Sequence, residues 1–413
     1  EDKEDWGSVA ARSKSPPSIR LTGEGNSYSP EEARSIGEEA YRAGKVAIVV
    51  VAGGQGSRLG FPHPKGMYPL GPVSNRTLFE IHADRIRAAN AKYDGSIPFY
   101  VMTSPATHEA TVEYFEQNAN CGVKDLKVFC QGTMPAVDAQ SGKLILAEKH
   151  QLFMSPDGHG GTLAALDRSG CLEDMRERGI EWLFYFQVDN PMVALDDPEF
   201  VGYHILSKSE MTSQVVAKVD PLEKVGNVVS VDGALRIIEY SDLPEDQAQR
   251  RNEDGSLAIW AGSIAVHVFD VAFLERSKYS ADALPFHRAH KKVPFVNEQG
   301  NVETPDSPNA IKFERFIFDL LPQARNALVV EIDEAEAFAP LKNAAGAPKD
   351  TEATAKAAMS AQQAGWLQAA GAKVADGVVV EINPRYAADA AEVAAKVGSE
   401  LAVNEDTYFA PDA

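Results

Sequence analysis

The sequence predicts an α/β fold in which a Rossmann-like, mixed but mostly parallel central sheet is flanked by helices. Two observations lead to this prediction. Continuous apolar runs, typical of strands buried on both faces of a parallel sheet, occur at residues 46–52, 98–103, 183–188, 212–219, 262–269 and 327–332. Helical stretches lie between several of these runs, at residues 77–91, 107–118, 161–168 and 198–209. In sheets of this kind a ligand binds beyond the carboxyl ends of the strands.

Two smaller units flank the predicted sheet. Residues 1–28 are polar and are expected to form a poorly ordered arm. Ser29 and Pro30 then mark the start of a helix, which Gly44 ends. A stretch rich in Ala and Gly at 343–348 breaks the α/β pattern. The sequence is therefore divided into an N-terminal arm and helix (1–45), a main α/β domain (46–345) and a small C-terminal domain (346–413).

A β-hairpin is predicted at residues 228–240. Two short strand-like runs there flank Asp232 and Gly233. An Asp-Gly pair between strands is a strong signal for a two-residue hairpin turn. We therefore expect one antiparallel pair of strands within the α/β domain.

The composition restricts the classes of partner. With 40 Lys and Arg residues against 60 Asp and Glu, the chain has a formal net charge of −20. This charge argues against nucleic acid and anionic membranes, because both require basic surfaces. The longest clean apolar run, residues 46–52, is far shorter than the ~20 residues that span a bilayer. The cysteines Cys121, Cys130 and Cys171 form no CxxC pair, so we expect reduced thiols and a cytoplasmic protein.

A glycine-rich loop follows the first apolar run and gives the strongest chemical signal. Gly53, Gly54 and Gly56 are followed by Arg58 and Lys65. The loop lacks the last glycine of the dinucleotide fingerprint, and no Ser or Thr follows its lysine as a P-loop requires. Backbone N–H groups in such a turn can bind an anion. On these grounds alone, an anion-binding turn and an ordinary strand-to-helix turn with solvated charges are equally open.

Further motifs follow this loop in order along about three quarters of the chain. They stand at 77–81 (TLFEI), 131–136 (QGTMPA), 156–161 (PDGHGG), 188–190 (VDN), 239–241 (EYS), 308–312 (PNAIK), 316–319 (FIFD) and 338–343 (FAPLKN). Together with the loop they resemble the eukaryotic-type UDP-N-acetylhexosamine pyrophosphorylases, within the type 1 UDPGP uridylyltransferases. One departure lies in the loop, where Ser57 stands at the family's usual threonine.

The resemblance implies a GT-A-like nucleotidyltransferase fold and a reaction in which UTP and a sugar 1-phosphate form a UDP-sugar and pyrophosphate. N-acetylglucosamine 1-phosphate is the expected acceptor, and Mg²⁺ the expected cofactor. It assigns uridine-nucleotide binding to Ala52, Gly53, Gly54, Gln131 and Gly158. It assigns catalytic charge stabilisation to Arg58, Lys65 and Lys342. From composition alone, Gln131 and Lys342 could equally be surface side chains, and Lys312 is as ambiguous as Lys342.

The metal assignment has support from the residues themselves. Asp189 directly follows the apolar run 183–188, so its carboxylate lies at the carboxyl end of a predicted strand. Mg²⁺ is commonly held by one such carboxylate together with substrate phosphates and water. The competing interpretation is that Asp189 caps the next turn, which Pro191 would then continue.

The sugar side departs from the family pattern. The resemblance assigns sugar contacts to His159, Gly226, Glu239, Val266, Phe316 and Phe318, although both phenylalanines could serve packing alone. His159 and Val266 each replace a family asparagine. A pocket that loses hydrogen-bonding groups changes its specificity strongly.

Three alternatives therefore stay open. The first is a UDP-glucose or UDP-galactose type pyrophosphorylase of relaxed sugar specificity. The second is a catalytically weakened UDP-sugar-binding protein, against which the retained Arg58, Lys65, Asp189 and Lys342 speak. The third, a nicotinamide-dependent dehydrogenase, lacks its fingerprint. The sequence leaves the oligomeric state open.

Overall fold

A ten-stranded sheet crosses the part of the chain that the computed structural model describes, residues 5–278, 284–297 and 299–411. Its strands are, in chain order, β1 (Ser18–Ile19), β2 (Val46–Val51), β3 (Phe99–Thr103), β4 (Leu126–Cys130), β5 (Trp182–Gln187), β6 (Met211–Ala217), β7 (Gly226–Val231), β8 (Ala234–Ile238), β9 (Ala261–Asp270) and β10 (Leu328–Glu331). Across the sheet they lie in the order β1-β10-β6-β9-β5-β2-β3-β4, and the hairpin β7–β8 pairs with the start of β9.

Along this order every pairing is parallel except the two that β9 makes with β5 and β6. The predicted mixed, mostly parallel sheet is therefore confirmed. The central strands are buried almost throughout, because β2 and β5 are apolar on both faces. Because β9 is antiparallel to both of its neighbours, the strands on either side of it run in the same direction. The carboxyl ends of β2, β3, β4, β5, β6 and β10 therefore lie along one side of the sheet, which we call the carboxyl edge.

Helices cover both faces of the sheet. In chain order they are α1 (Trp6–Ala11), α2 (Pro30–Arg42), α3 (Leu78–Lys92), α4 (His108–Gln117), α5 (Thr162–Arg168), α6 (Cys171–Glu177), α7 (Pro198–Leu206), α8 (Glu245–Ala248), α9 (Val271–Ser277), α10 (Glu334–Ala337), α11 (Glu352–Ala369) and α12 (Ala390–Lys396). One apolar layer packs α2, α3, α4 and α7 on the sheet, and the opposite layer packs α5, α6 and α9. Ser29 caps α2 as predicted, because its hydroxyl accepts the Glu32 N–H.

Each predicted strand and helix lies within a few residues of an observed one. Outside the N-terminal arm, the unanticipated elements include β4, α6, α8, α9, α10 and α12. The predicted hairpin is confirmed as β7–β8. Its turn residues Asp232 and Gly233 have φ values of 52° and 87°, which a type I′ turn requires.

Shorter strands form small sheets outside the central one. Among the residues that the structure describes, 3₁₀ segments lie at Ser57–Leu59, Lys65–Met67, Ala119–Gly122, His159–Gly161 and Ile317–Gln323. The small sheets pair Thr133–Pro135 with Met154–Pro156, Leu146–Glu148 with Gln151–Leu152, Phe295–Val296 with Val302–Glu303, Lys373–Val374 with Ala402–Val403, and Val380–Ile382 with Thr407–Phe409; Ala310–Glu314 lies between His287–Lys291 and Val137–Asp138.

The prediction of a poorly ordered arm is wrong for residues 5–28. This segment forms α1 and β1, and β1 pairs in parallel with β10 at the edge of the central sheet. Val9, Ala10 and Ile19 are buried. The sequence pattern concealed this order because each piece is too short to be stable by itself and depends on tertiary contacts.

The last part of the chain packs its own apolar cluster around Leu367, Val380 and Val393. Polar contacts fix this unit to the main domain. The buried carboxylate of Glu381 accepts the N–H groups of Val73 and Ser74, at 2.7 and 2.6 Å. The division at residues 45 and 345 stays a prediction, and residues 1–4 and 412–413 of its terminal units lie outside the described part. No helix among the described residues has the length and apolarity needed to cross a membrane.

Two glycines allow α2 and α7 to cross at close range. A Cβ atom at Gly37 would lie 1.9 Å from the carbonyl oxygen of Pro198, and one at Gly202 would lie 1.8 Å from that of Ala33. Both obstacles are backbone atoms of the opposite helix, so a small side-chain movement cannot relieve them. The crossing therefore sets how closely α7, the helix between β5 and β6, lies against α2.

We expect Gly202→Ala to lower the free energy of unfolding by about 3 kcal/mol or more, because it overpacks this crossing. Gly365→Ala is the matched control: Gly365 lies in α11, and nothing stands within 4 Å of its Cβ position. That control should gain up to about 1 kcal/mol from higher helix propensity. Urea unfolding of both variants measures the difference, and a Gly202→Ala protein as stable as the parent would contradict the close crossing.

Candidate functional site

Four segments meet at the carboxyl edge, and three of them carry predicted site residues. Gly53 and Gly54 follow β2, Ser104 follows β3, Gln131 follows β4 and Asp189 follows β5. Registered pairing of β2 with β3 and β5, and of β3 with β4, brings these strand ends side by side. The sheet topology thus assembles groups that are distant in sequence.

The glycine-rich loop folds back on itself. Its two arms are joined by hydrogen bonds from Lys65 N–H to the Gly54 carbonyl (3.0 Å) and from Gly56 N–H to the His63 carbonyl (2.9 Å). This folding carries Lys65 back toward the strand end, while Arg58 stays exposed at the rim.

The two predicted uracil-facing glycines have different surroundings. A Cβ at Gly53 would lie 3.1 Å from the Gln131 side-chain oxygen and 3.2 Å from the Ser104 nitrogen, whereas one at Gly54 would meet nothing within 4 Å. Gln131 is 7% exposed and lies beside the glycines rather than on the surface. Ala52 is fully buried, and its N–H donates to the Met102 carbonyl (2.7 Å), so its side chain does not face the cleft.

A cleft of about 460 Å³ opens over this loop. Its lining includes Gly54 and Ser104, and three cationic side chains reach it: Arg58, Lys65 and Lys312. Three cations around one cleft are notable in a chain with a net charge of −20, and they make it suited to a polyanion. Burial lowers the pKa of Lys312. Sequence analysis offered only weak support for Lys312.

The end of β5 contacts Lys65 and the segment that carries Lys342. The Lys65 ammonium lies 3.5 Å from the Asp189 carboxylate, and the Asp189 carbonyl accepts the Leu341 N–H at 2.8 Å. The Asn190 side chain donates to the Ala337 carbonyl (2.8 Å) and accepts the Ala339 N–H (3.3 Å). These bonds fix the segment that carries Lys342 against the strand end. Sequence analysis missed this role of Asn190, whose only signal was its place beside Asp189.

Asp189 could hold a hard cation. The described residues contain no cluster of three or more His, Cys, Asp or Glu side chains that could hold a metal by themselves. A single carboxylate beside Lys65, which lines the cleft, fits the kind of Mg²⁺ site in which phosphates and water supply the other ligands. The contact of its side chain with Lys65, rather than with the backbone of the next turn, favours this interpretation over a capping role.

His82 fixes the backbone just after the end of β5. Its Nε2–H donates to the Val188 carbonyl at 3.0 Å, and its ring packs edge-on against Phe186. Burial lowers the pKa of His82 to about 4, so the side chain is neutral at physiological pH. It therefore helps to fix the backbone one residue before Asp189 without adding charge.

The predicted sugar side is formed by the start of β7 and the end of β8. A Cβ at Gly226 would lie 2.8 Å from Ile237 and 3.4 Å from the Glu239 carboxylate, so only glycine fits beside this acid. Burial raises the pKa of Glu239, while the charges of His287 and Lys342 act in the opposite direction. Lys342 and Glu239 thus lie in one electrostatic environment.

An aromatic stack lies near Glu239 on the predicted sugar side. His159 stacks on Phe316 with ring centroids 5.0 Å apart, His287 stacks on Phe316 at 4.1 Å, and Phe318 lies 5.0 Å from Phe316. Burial and the charge of His287 lower the pKa of His159 to about 4. Burial is the largest single influence on the pKa of His287 and acts to lower it. The 2.8 Å hydrogen bond with Asp319 and the charges of Asp319, Glu239 and Asp242 together outweigh burial and raise this pKa. The sequence offered no signal for His287.

The loop at Gly158 packs against the segment that carries Phe316. Gly158 has a φ of 81°, and a Cβ there would lie 2.5 Å from the Arg315 carbonyl oxygen. The same oxygen accepts the Gly160 N–H at 2.7 Å, and the His159 Nδ1 accepts the Ile317 N–H at 3.3 Å. Only glycine is unstrained with this φ and this close approach.

The predicted sugar contact at Val266 is wrong. Val266 is 1% exposed and packs in the apolar layer with Ile264 and Val268. The pairing of β9 with β6 is irregular here, with Ala265 at a φ of 58°, so the residue that reaches the site cannot be read from strand alternation. Ser263, which pairs with Gly226, takes the place beside it, 3.8 Å from a Gly226 Cβ.

Comparison with known proteins matches both the sequence and the fold. A profile of the family described as UTP–glucose-1-phosphate uridylyltransferase matches residues 22–355. The chain is 40% identical over 380 residues to a human UDP-N-acetylhexosamine pyrophosphorylase-like protein 1, covering 89% of this chain and 75% of that protein. It is 36% identical over 370 residues to the UDP-N-acetylglucosamine pyrophosphorylase of Saccharomyces cerevisiae, covering 87% and 78%. The chain spans 66% of a Xenopus tropicalis relative that is 41% identical over 341 residues, covering 80% of this chain and also named UDP-N-acetylhexosamine pyrophosphorylase-like protein 1.

Solved structures agree with this match. An Entamoeba histolytica protein assigned as a UDP-N-acetylglucosamine pyrophosphorylase superimposes with a TM-score of 0.85 at 32% identity, covering 92% of this chain and 96% of that chain. A Trypanosoma brucei UDP-N-acetylglucosamine pyrophosphorylase shares the fold, with a TM-score of 0.83 at 23% identity over 95% and 84% of the two chains.

The neutral state of buried His82 makes stability depend on pH. In the unfolded chain this histidine has an ordinary pKa near 6.5, so between about pH 6.5 and 4 the unfolded state binds more protons. The free energy of unfolding therefore falls as the pH is lowered through that window, by up to about 1.4 kcal/mol per unit from this residue. His82→Gln should show a weaker fall between pH 6 and 5 in urea unfolding. An unchanged pH dependence would contradict the buried neutral state.

Proposed function

This chain belongs to the UTP–glucose-1-phosphate uridylyltransferase family, and from that premise we propose that it converts UTP and N-acetylglucosamine 1-phosphate into UDP-N-acetylglucosamine and pyrophosphate. The predicted enzyme class, a nucleotidyltransferase acting on UTP and a sugar 1-phosphate, is confirmed by the family match. One observation carries the proposal furthest: Lys65 pairs with Asp189, and the Asp189 carbonyl fixes the segment of Lys342.

The proposal places the uridine over the two glycines. The open space at Gly54 accepts a flat base, and the tight site at Gly53 brings the backbone beside the Gln131 carboxamide. This carboxamide can hydrogen-bond the base edge, since an amide offers both a donor and an acceptor. Gly158 lies at the opposite loop and would pack near the nucleoside.

The triphosphate would extend toward the cationic side chains. A sugar-phosphate oxygen attacks the α-phosphorus of UTP, a new phosphorus–oxygen bond forms, and the bond to the β-phosphate breaks, so that pyrophosphate leaves. The phosphate nucleophile is already ionised at neutral pH, so no general base is required. Arg58 and Lys65 would neutralise the charge of the leaving group, Lys312 lines the same cleft, and Lys342 would act between donor and acceptor. Catalysis then rests on positioning and charge stabilisation.

Asp189 is the residue that would hold Mg²⁺. Bound there with phosphate oxygens, the ion would supply positive charge next to the transferring group. The contact of Lys65 with the same carboxylate places a protein cation beside that position. Mg²⁺ as cofactor stays a proposal.

Sugar recognition is proposed at Glu239, Gly226, Ser263 and the aromatic stack. The names of the relatives support an N-acetylhexosamine acceptor. A UDP-glucose or UDP-galactose type enzyme of relaxed specificity is the second candidate, and His159 favours it. Because its Nδ1 accepts the Ile317 N–H, His159 can offer only its Nε2–H to a ligand, whereas an asparagine offers a donor and an acceptor.

Two further predictions remain open. A catalytically weakened UDP-sugar-binding protein is disfavoured because Lys65 pairs with Asp189 and the Asp189 carbonyl binds the backbone next to Lys342. A cytoplasmic location remains an expectation from the cysteine pattern. Nucleic acid and membranes are not proposed as partners, and UTP, sugar 1-phosphate, UDP-sugar and pyrophosphate are the proposed ligands.

A pyrophosphate-release assay tests this function. UTP is paired with the 1-phosphates of N-acetylglucosamine, N-acetylgalactosamine, glucose and galactose, and ATP, GTP and dTTP serve as base controls. We expect turnover with UTP, fastest with N-acetylglucosamine 1-phosphate. Similar rates with the hexose 1-phosphates would favour the relaxed enzyme, and no pyrophosphate from any pair would overturn the proposal.

The same assay measures the role of Lys65. Lys65→Ala should lower kcat about 10²–10³-fold at saturating UTP and Mg²⁺, the usual cost of one lost charge-stabilising contact. Lys45→Ala is the matched control, because Lys45 precedes β2 at the opposite edge of the sheet and pairs with Glu181. It should keep the parent rate, and near-parent turnover of Lys65→Ala would refute the assigned role.

A further inference from the structure

We propose that residues 5–20 of the N-terminal arm position the sugar-binding half of the site. They thereby set the affinity for the sugar 1-phosphate but not for UTP. The inference rests on the proposed function. The arm acts through the hairpin β7–β8 and the start of β9, which carry Gly226, Glu239 and Ser263. None of its own side chains is proposed to touch a ligand.

The hairpin is packed between the core and the arm. Val228, Leu235 and Ile237 lie on its inner face, within the apolar layer of the central sheet. Its outer face lies in a separate cluster that α1 completes, formed by Val9, Ala10, Val229, Val231, Ile238 and Ile259. Ile238 is fully buried there and directly precedes Glu239. Without the arm, this outer apolar face would be exposed to water.

Hydrogen bonds fix the arm to the hairpin and to the loop behind it. The backbones of Lys14 and Ser230 exchange two hydrogen bonds of 2.9 Å each. The Arg250 guanidinium donates to the carbonyls of Ser13 (2.7 Å) and Ala11 (3.2 Å) and to the Ser13 hydroxyl (3.0 Å). Arg250 therefore ties the end of α1 to the segment that follows the hairpin.

The far end of the arm holds the start of β9. The Trp260 indole N–H donates to the Ser15 hydroxyl at 2.8 Å, and the Arg20 guanidinium lies 3.7 Å from the Trp260 ring centroid. Trp260 is two residues before Gly262 and three before Ser263. Arg20 also pairs with Glu331 at 2.7 Å, which anchors the arm to β10.

On the side of the hairpin that faces the central sheet, the buried Lys218 also fixes its position. The Lys218 ammonium donates to the Asn227 side-chain oxygen at 2.6 Å. The Asn227 amide donates to the carbonyls of Val225 and Ile238, each at 3.2 Å, directly before Gly226 and Glu239. The hairpin is thus fixed from both sides. The glycine-rich loop and Asp189 belong to other strand ends, so loosening the arm should leave UTP binding intact.

Arg250→Met tests the inference, with Arg251→Met as the matched control. The Arg251 guanidinium donates to the Gly255 carbonyl within its own turn and not to the arm. In the pyrophosphate-release assay, Arg250→Met should raise the KM for N-acetylglucosamine 1-phosphate about fivefold or more, the effect of losing about 1 kcal/mol of binding. The KM for UTP should stay within about twofold of the parent value, and Arg250→Lys should restore part of the loss.

A second variant and a second readout keep the test independent of folding yield and of the reaction. Val9→Ala trims the apolar contact on the outer face and should act in the same direction. Amide hydrogen exchange should become faster at 226–240 in both variants and stay unchanged at 46–66. Unchanged exchange and KM values, or an equal rise of both KM values, would overturn the inference. If the parent protein releases no pyrophosphate, the proposed function fails, while the exchange experiment still decides whether the arm holds the hairpin.

Discussion

The site depends on the backbone at the end of strand β5. Three consecutive residues there each hold a different part of the protein: Val188 is fixed by His82, Asp189 faces Lys65 and binds the Leu341 backbone, and Asn190 holds the segment before Lys342. The carboxyl end of β5 pairs in parallel with β2 through Phe186 and Gln187, and the hydrogen bonds of the next three residues add to the rigidity of this segment. A phosphate-handling site needs this rigidity, since it works by positioning charges rather than by proton transfer.

The proposed nucleotide and sugar halves of the site are built differently. The nucleotide half uses the ends of neighbouring strands and a loop that is closed by its own hydrogen bonds. The sugar half is assembled from the β7–β8 hairpin, the start of β9 and the stack around Phe316, which come from distant parts of the chain. Its electrostatics are correspondingly coupled, because burial raises the pKa of Glu239 while His287 and Lys342 oppose that rise.

Much of the fold could be predicted because buried parallel strands are continuously apolar and their helices have clear start signals, as at Ser29. Order in the arm could not, since α1 and β1 are stable only through contacts with the hairpin and β10. Val266 was misplaced because an irregular stretch of β9 hides which residue faces the site. Lys342 was proposed from family resemblance alone: the hydrogen bond between Leu341 and Asp189 that places its backbone beside the strand end joins residues far apart in sequence and leaves no local pattern.

The most direct test of this account is a double-mutant cycle on kcat between Asn190→Ala and Lys342→Ala. If the end of β5 holds Lys342 in place, Asn190→Ala should slow the parent enzyme about tenfold or more and have little further effect once Lys342 is alanine. The coupling then reports that Asn190 acts through the lysine. Additive losses from the two substitutions, with an intact fold by urea unfolding, would contradict the central role of this strand end.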